Sequence, residues 1–257
     1  MLLHGQPGSA ADWQQVAGRL PAALRVLAVD RPGYGRSHQP AGGFKYGARA
    51  VLAELDARSI GRAVLVGHSY GGGVALSVAE QAPDRVEALV LLASVGPDCL
   101  TGWDRLLAAP AAGEVCALAA WWLTPWLARA RLAAITRRLG RPLTADEHVN
   151  WHIWGHAHHD HGPLWRSFLI EQRALVHEIG GLTASLRSVT QPTLLIADPE
   201  DTLIPVGTTH QLAAALPDAR VQLLSQTGHH LPRRGAPQIA AAITDFLAAL
   251  DSRPAPA

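Results

Sequence analysis

Cysteine is scarce in this chain: Cys99 and Cys116 are the only two in 257 residues. Two cysteines exclude a disulfide framework and suit reduced thiols in a reducing compartment. Net charge is nearly absent as well, at +1, with the 22 basic side chains scattered rather than striped. A nucleic-acid footprint needs a basic face or groove, so no nucleic-acid partner is expected, and a small neutral molecule fits better than an anionic polymer. No apolar run approaches the ~20 residues that cross a bilayer, so no membrane span is expected. The amino terminus lacks the ordered basic, apolar and cleavage regions of a signal peptide. The expected location is therefore cytoplasmic, unless a signal precedes Met1. No G-x-G-x-x-G opens a helix, and Gly33 and Gly35 read as turn formers rather than a phosphate cradle. Phenylalanine and tyrosine number three each, against eight tryptophans.

What is present is an alternation of short apolar runs with helix-length segments, the pattern of parallel βαβ units. Strands are predicted at Met1–Leu3, Leu24–Val29, Ala63–Val66, Val86–Leu92, Thr193–Ala197 and Val221–Leu224. Helices are predicted at Ser9–Leu20, Gly47–Arg58, Tyr70–Gln81, Val206–Leu216 and Pro237–Leu250. In the last, Ile239, Ile243, Phe246, Leu247 and Leu250 share one face. From Pro97 to Arg187 no strand is readable, and seven of the eight tryptophans lie there. Helical patterning dominates that stretch, and Thr144 with Glu147 reads as a capping box. The expected fold class is α/β: a mostly parallel sheet flanked by helices, with an inserted helical lid. The core would comprise residues 1–96 and 188–250, the lid 97–187, and a frayed tail 251–257.

Gly67-His68-Ser69-Tyr70-Gly71 is the strongest chemical signal. This G-x-S-x-G pentapeptide follows an apolar strand and precedes a helix, the sharp turn that exposes a nucleophilic serine at the carboxyl edge of a sheet. Serine needs a base, and the base needs an orienting carboxylate. Both occur in the order Ser, Asp, His at the ends of the last two strands: Asp198-Pro-Glu-Asp201, and Gly228-His229-His230.

With these motifs in place the chain resembles the α/β-hydrolase superfamily. The resemblance is to its lidded serine-hydrolase branch, which holds esterases, proline iminopeptidases and meta-cleavage-product hydrolases. His4-Gly5-Gln6-Pro7-Gly8 resembles the family's oxyanion loop, Asp30-Arg-Pro-Gly33-Tyr-Gly35-Arg-Ser37 its D-x-x-G-x-G-x-S turn, and Asp201-Thr-Leu-Ile-Pro205 its acid loop. The resemblance implies Ser69 as nucleophile, His229 as base and Asp201 as acid, with backbone N–H groups of Gln6 and Tyr70 forming the oxyanion hole. It implies hydrolysis of a small carboxylic ester or related acyl compound through an acyl-enzyme, with no cofactor. A carbon–carbon hydrolase or aminopeptidase on the same residues, and a non-catalytic small-molecule receptor, are the alternatives. Relatives begin with two further strands, so an amino-terminal strand pair is expected to be missing here.

Several residues have second readings. Asp98 is a rival acid and His230 a rival base. Asp198 and Glu200 read as loop-surface carboxylates, His4 as a brace of the oxyanion loop, and His68 as packing behind the elbow. His148, His152 and His156 recur at i, i+4 and i+8, with His158, His159 and His161 following. An i, i+4 histidine pair is a zinc-ligand spacing, but no Glu follows the first histidine of either pair. A polar lid face is therefore expected, and no metal. Trp103, Trp121, Trp122, Trp126, Trp151, Trp154 and Trp165 read as lid packing, and any of them facing the cleft would favour an apolar or aromatic substrate. The sequence leaves the oligomeric state open.

Overall fold

The computed structural model describes residues 1–142 and 164–252. Six strands form one parallel sheet: β1 (Leu2–Leu3), β2 (Ala28–Val29), β3 (Ala63–His68), β4 (Val86–Leu92), β5 (Thr193–Ala197) and β6 (Ala219–Leu223), in the order β2-β1-β3-β4-β5-β6. The register pairs Leu2 with Val66, Val90 with Leu194, and Leu195 with Val221. Side chains alternate across a strand, and two cores result. Leu3, Leu65, Leu89, Leu91 and Leu195 face one. Leu2, Val66, Val90, Leu92, Leu194 and Ile196 face the other.

The first core is covered by α2 (Phe44–Ala57), α3 (Tyr70–Gln81), the later turns of α6 (Leu164–Ser185) and α7 (Val206–Ala215). The second is covered by α1 (Gln14–Ala17), α8 (Leu231–Arg234) and α9 (Ala236–Asp251). Between β4 and β5 the described chain is helical: α4 (Gly102–Ala108), α5 (Ala112–Leu139) and α6. The Thr144–Glu147 capping box, the histidines from His148 to His161, Trp151 and Trp154 lie outside the described residues.

Four elements differ from expectation. The run Leu24–Val29 pairs only at Ala28 and Val29, because β1 offers only Leu2 and Leu3 as partners. The segment Ser9–Leu20 forms a 3-10 turn over Ala10–Trp13 and then only the short α1, ending at Gly18. Helix α2 starts at Phe44, three residues early, because Glu178 of α6 accepts the Phe44 N–H at 2.8 Å. That carboxylate supplies from a distance the cap a helix start needs. Strand β6 begins at Ala219, two residues early. It lies at the sheet edge with most side chains exposed, so Arg220 and Gln222 are tolerated where an apolar run is not required.

Candidate active site

The candidate triad residues and His4 each follow the carboxyl end of a strand, the edge where α/β sheets place their sites. His4 follows β1, Ser69 follows β3, Asp198 and Asp201 follow β5, and the 225–230 loop follows β6. Ser69 turns the chain from β3 into α3 with φ 53° and ψ −120°, a conformation that costs an L-residue of order 1–3 kcal/mol. Neighbours hold it there: Ser69 N–H donates to Leu92 O at 2.9 Å, and Gly72 N–H donates to Ser69 O at 2.9 Å. The pentapeptide's glycines are required by close approach. A β-carbon at Gly67 would strike the backbone of Gly71 and Gly72, and one at Gly71 would strike the carbonyls of Leu3 and His4. The elbow and the His4–Gly5 loop therefore touch. A β-carbon on Gly5 would itself lie 3.0 Å from Ser69 Cβ.

His229 Nε2 lies 3.1 Å from Ser69 Oγ, and His229 Nδ1 lies 2.8 Å from Asp201 Oδ2. A carboxylate accepts, so Nδ1 carries the hydrogen and Nε2 is the free acceptor facing the hydroxyl. Asp201 is aimed by its other oxygen, which accepts the N–H groups of Leu203 at 2.8 Å and Ile204 at 3.0 Å. Its side chain is 1 % exposed, so little water competes for the histidine. The rival acid Asp98 is engaged elsewhere, accepting from Gln211 Nε2 at 2.8 Å. His230 stands beside His229 with ring centroids 6.0 Å apart. Burial, then the neighbouring His229, lowers its pKa to about 4.

His68 does more than pack behind the elbow. Its Nε2–H donates to the His229 carbonyl at 2.8 Å, which pins the backbone of His229. Burial, then His229, holds His68 well below the ordinary histidine range. It is therefore neutral, with its ring 5.0 Å from that of His229. His4 braces the loop that follows β1. His4 Nδ1 donates to Gly5 O at 2.7 Å, and His4 Nε2 accepts Arg31 N–H at 3.0 Å. Tyr70 opens α3, and the first N–H groups of a helix have no intrahelical acceptor, which leaves the Tyr70 N–H available beside Ser69. Gln6 lies in the loop that meets the elbow and lines the cleft at His229.

Asp198 is the clear correction. It is fully buried rather than on the loop surface. One oxygen accepts Glu200 N–H at 2.8 Å. The other accepts Thr227 N–H at 2.6 Å, Thr227 Oγ–H at 2.8 Å and Gly228 N–H at 2.8 Å. Asp198 thus ties the loop after β5 to the loop that presents His229. Asp198→Ala leaves three buried donors of the 227–228 loop unpaired. Unfolding in urea should show a loss of about 2–4 kcal/mol, and turnover should fall with it as the loop carrying His229 loosens.

The cleft beside His229 encloses about 130 Å³ and is lined by Gly5, Gln6, His68, Leu203, His230 and Arg233 among others. No tryptophan is among the described lining residues. Trp103, Trp122 and Trp126 are exposed on α4 and α5, and Trp165 is half-buried with the Arg166 guanidinium 5.1 Å from its ring. Among the described residues, no three His, Cys, Asp or Glu side chains stand together as metal ligands do.

The chain belongs to the α/β hydrolase fold family, whose model matches residues 1–232. Over 98 % of its length it is 30 % identical to 2-hydroxymuconate semialdehyde hydrolase of Pseudomonas sp. (strain CF600), covering 87 % of that protein. Over 42 % of its length it is 36 % identical to the pimeloyl-[acyl-carrier protein] methyl ester esterase of Pectobacterium carotovorum subsp. carotovorum (strain PC1), covering 46 % of that enzyme. Among solved structures, a thermophilic esterase from Thermogutta terrifontis superposes with a TM-score of 0.76. Its sequence identity is 20 %, and the match covers 97 % of this chain and 89 % of that one.

Proposed function

We propose that this protein is a serine hydrolase that cleaves a small carboxylic ester or related acyl compound through an acyl-enzyme. The observation that carries the reading is the unbroken line from Asp201 Oδ2 through His229 to Ser69 Oγ, with separations of 2.8 and 3.1 Å. In this reading His229 Nε2 takes the Ser69 proton as Oγ attacks the carbonyl carbon. The carbonyl oxygen becomes an oxyanion held by the N–H groups of Gln6 and Tyr70. His229 then returns the proton to the leaving alkoxide, and water repeats the sequence to release the acid. Asp201 fixes the imidazole tautomer and stabilises the imidazolium, while neutral His68 adds no opposing charge. The helices between β4 and β5 serve as a cap over the cleft.

A second reading rests on the near full-length match to 2-hydroxymuconate semialdehyde hydrolase: the same residues cleave a carbon–carbon bond beside a ketone carbonyl. One experiment separates these. The purified protein is offered a p-nitrophenyl ester series and 2-hydroxymuconate semialdehyde, with fluorophosphonate labelling followed by intact mass. Labelling with ester turnover well above that of the semialdehyde supports the first reading, and the reverse preference supports the second. A folded protein that takes no label sinks both and favours a ligand-binding role.

A further inference from the structure

Helix α6 returns the chain from the insertion to β5, and two of its polar residues are buried: Glu171 is 1 % exposed and Gln172 2 %. A carboxylate that deep needs strong partners, because desolvation costs several kcal/mol. Its partners lead to the oxyanion loop. Both Glu171 oxygens engage the Arg31 guanidinium, Oε2 accepting from Nη2 at 3.1 Å, and Oε2 also accepts the Tyr34 hydroxyl at 2.7 Å. The remaining donors of Arg31 turn the other way. Arg31 Nε donates to His4 O at 2.7 Å, and Nη2 donates to Gly5 O at 2.9 Å. Next to Glu171, Gln172 Oε1 accepts from Gln6 Nε2 at 2.8 Å, while its own Nε2 donates to Asp104 of α4 at 2.9 Å.

The carbonyls of His4 and Gly5 and the side chain of Gln6 are therefore all tied, directly or through one guanidinium, to one turn of α6. The Arg31 fork is itself held rigid, its carbon 4.9 Å from the Tyr70 ring centroid and 5.1 Å from that of Tyr34. Fixing the carbonyls of two successive peptides fixes the planes of those peptides, and the N–H of Gln6 belongs to the second of them. An oxyanion donor is useful only if held within a few tenths of an ångström of where charge develops.

We infer that Glu171, acting through Arg31, and Gln172, acting on Gln6, are positioning residues that set the oxyanion hole from helix α6. The inference rests on the acyl-enzyme reading above. It makes the insertion a working part of the site: whatever shifts α6 shifts the Gln6 donor.

The test compares Glu171→Gln and Gln172→Met with a control on the same helix, Arg173→Met. That control breaks an ion pair to Glu114 with no link to the loop. Each protein is assayed on one p-nitrophenyl ester and titrated with a boronic acid carrying the same acyl chain, which forms a tetrahedral adduct at an activated serine. Both clamp variants should lose about 10- to 100-fold in kcat, part of the loss seen when an oxyanion donor is removed outright. KM should change by less than about threefold, because the ground state needs the donor less. Boronate affinity should fall by the same factor as kcat, and the acid limb of the pH profile should not move. Arg173→Met should match wild type. A merely structural role would instead lower the active fraction, with unchanged boronate affinity in what remains. Wild-type kcat in both clamp variants overturns the inference, as does a kcat loss without a matching boronate loss. If Glu171→Gln does not fold, Gln172→Met carries the test, since it leaves no unpaired charge. Failure of wild type to take a fluorophosphonate label would sink the acyl-enzyme reading itself, a result distinct from unaffected variants of a labelled enzyme.

Discussion

Ser69→Ala should lower turnover by about a million-fold while leaving the melting temperature and circular dichroism near those of wild type. The size follows from the reaction: without Oγ no acyl-enzyme forms, and only binding and the oxyanion donors remain. These residues act as a unit, so His229→Ala should cost a similar factor and the double variant little more. Fluorophosphonate labelling should vanish in the serine variant and become very slow in the histidine variant. His230→Ala supplies the contrast. His230 sits one residue away and is half-buried, with its pKa lowered to about 4 by burial and by His229, yet the Ser69 hydroxyl is met by His229. It should keep most of the activity. Retention of more than a few per cent by Ser69→Ala, with a mass spectrum free of wild type, sinks the assignment. Inactivity of His230→Ala with an active His229→Ala would exchange the roles of the two histidines.

Asp201→Asn should be the next most costly change, at about ten-thousand-fold in kcat, with a smaller effect on stability. The geometry gives the reason. Oδ1 of Asp201 accepts two backbone N–H groups, from Leu203 and Ile204. The introduced amide must keep its oxygen there, which turns its NH2 toward His229 Nδ1. Two donors cannot face each other, so the imidazole moves its hydrogen to Nε2 and can no longer accept the serine proton. Rising pH should not restore the rate, because the tautomer is wrong at every pH. Asp98→Asn is the matching comparison, since Asp98 accepts from Gln211. It should stay within about twofold of wild type, the range of substitutions away from the special features of a fold. A costly Asp98→Asn beside a harmless Asp201→Asn would move the acid to the other strand.

Much of this site could be read in advance because its parts are local. A G-x-S-x-G turn, an Asp four residues past β5 and a Gly-His after β6 are each contained in a few residues. Chain order then supplies the assembly. What could not be read depends on residues far apart. Asp198 looks like a surface carboxylate among Pro199, Glu200 and Asp201, and only the 227–228 loop closing over it reveals otherwise. Glu171 and Gln172 carry no local signal, and their roles show only with Arg31 and Gln6 placed against them. The start of α2 fails for the same reason, with its cap 134 residues away at Glu178. Sequence patterns report periodicity and turns. They do not report which carboxylate will be enclosed.

The sheet contains no hairpin among the described residues, and every pairing in it is parallel. Leu2 must wait for Val66, and Leu89 for Thr193, so no neighbouring pair can zip from a tight turn. Loop-closure entropy is met before contacts repay it, and such topologies fold slowly. On the ribosome the Ser69 turn must wait for Leu92 of β4 and the His4–Gln6 loop for α6, while the imidazole proposed to activate Ser69 is made later still. On the proposed reading the growing chain therefore carries its serine unactivated through most of its synthesis, and becomes chemically competent only as its last helices dock.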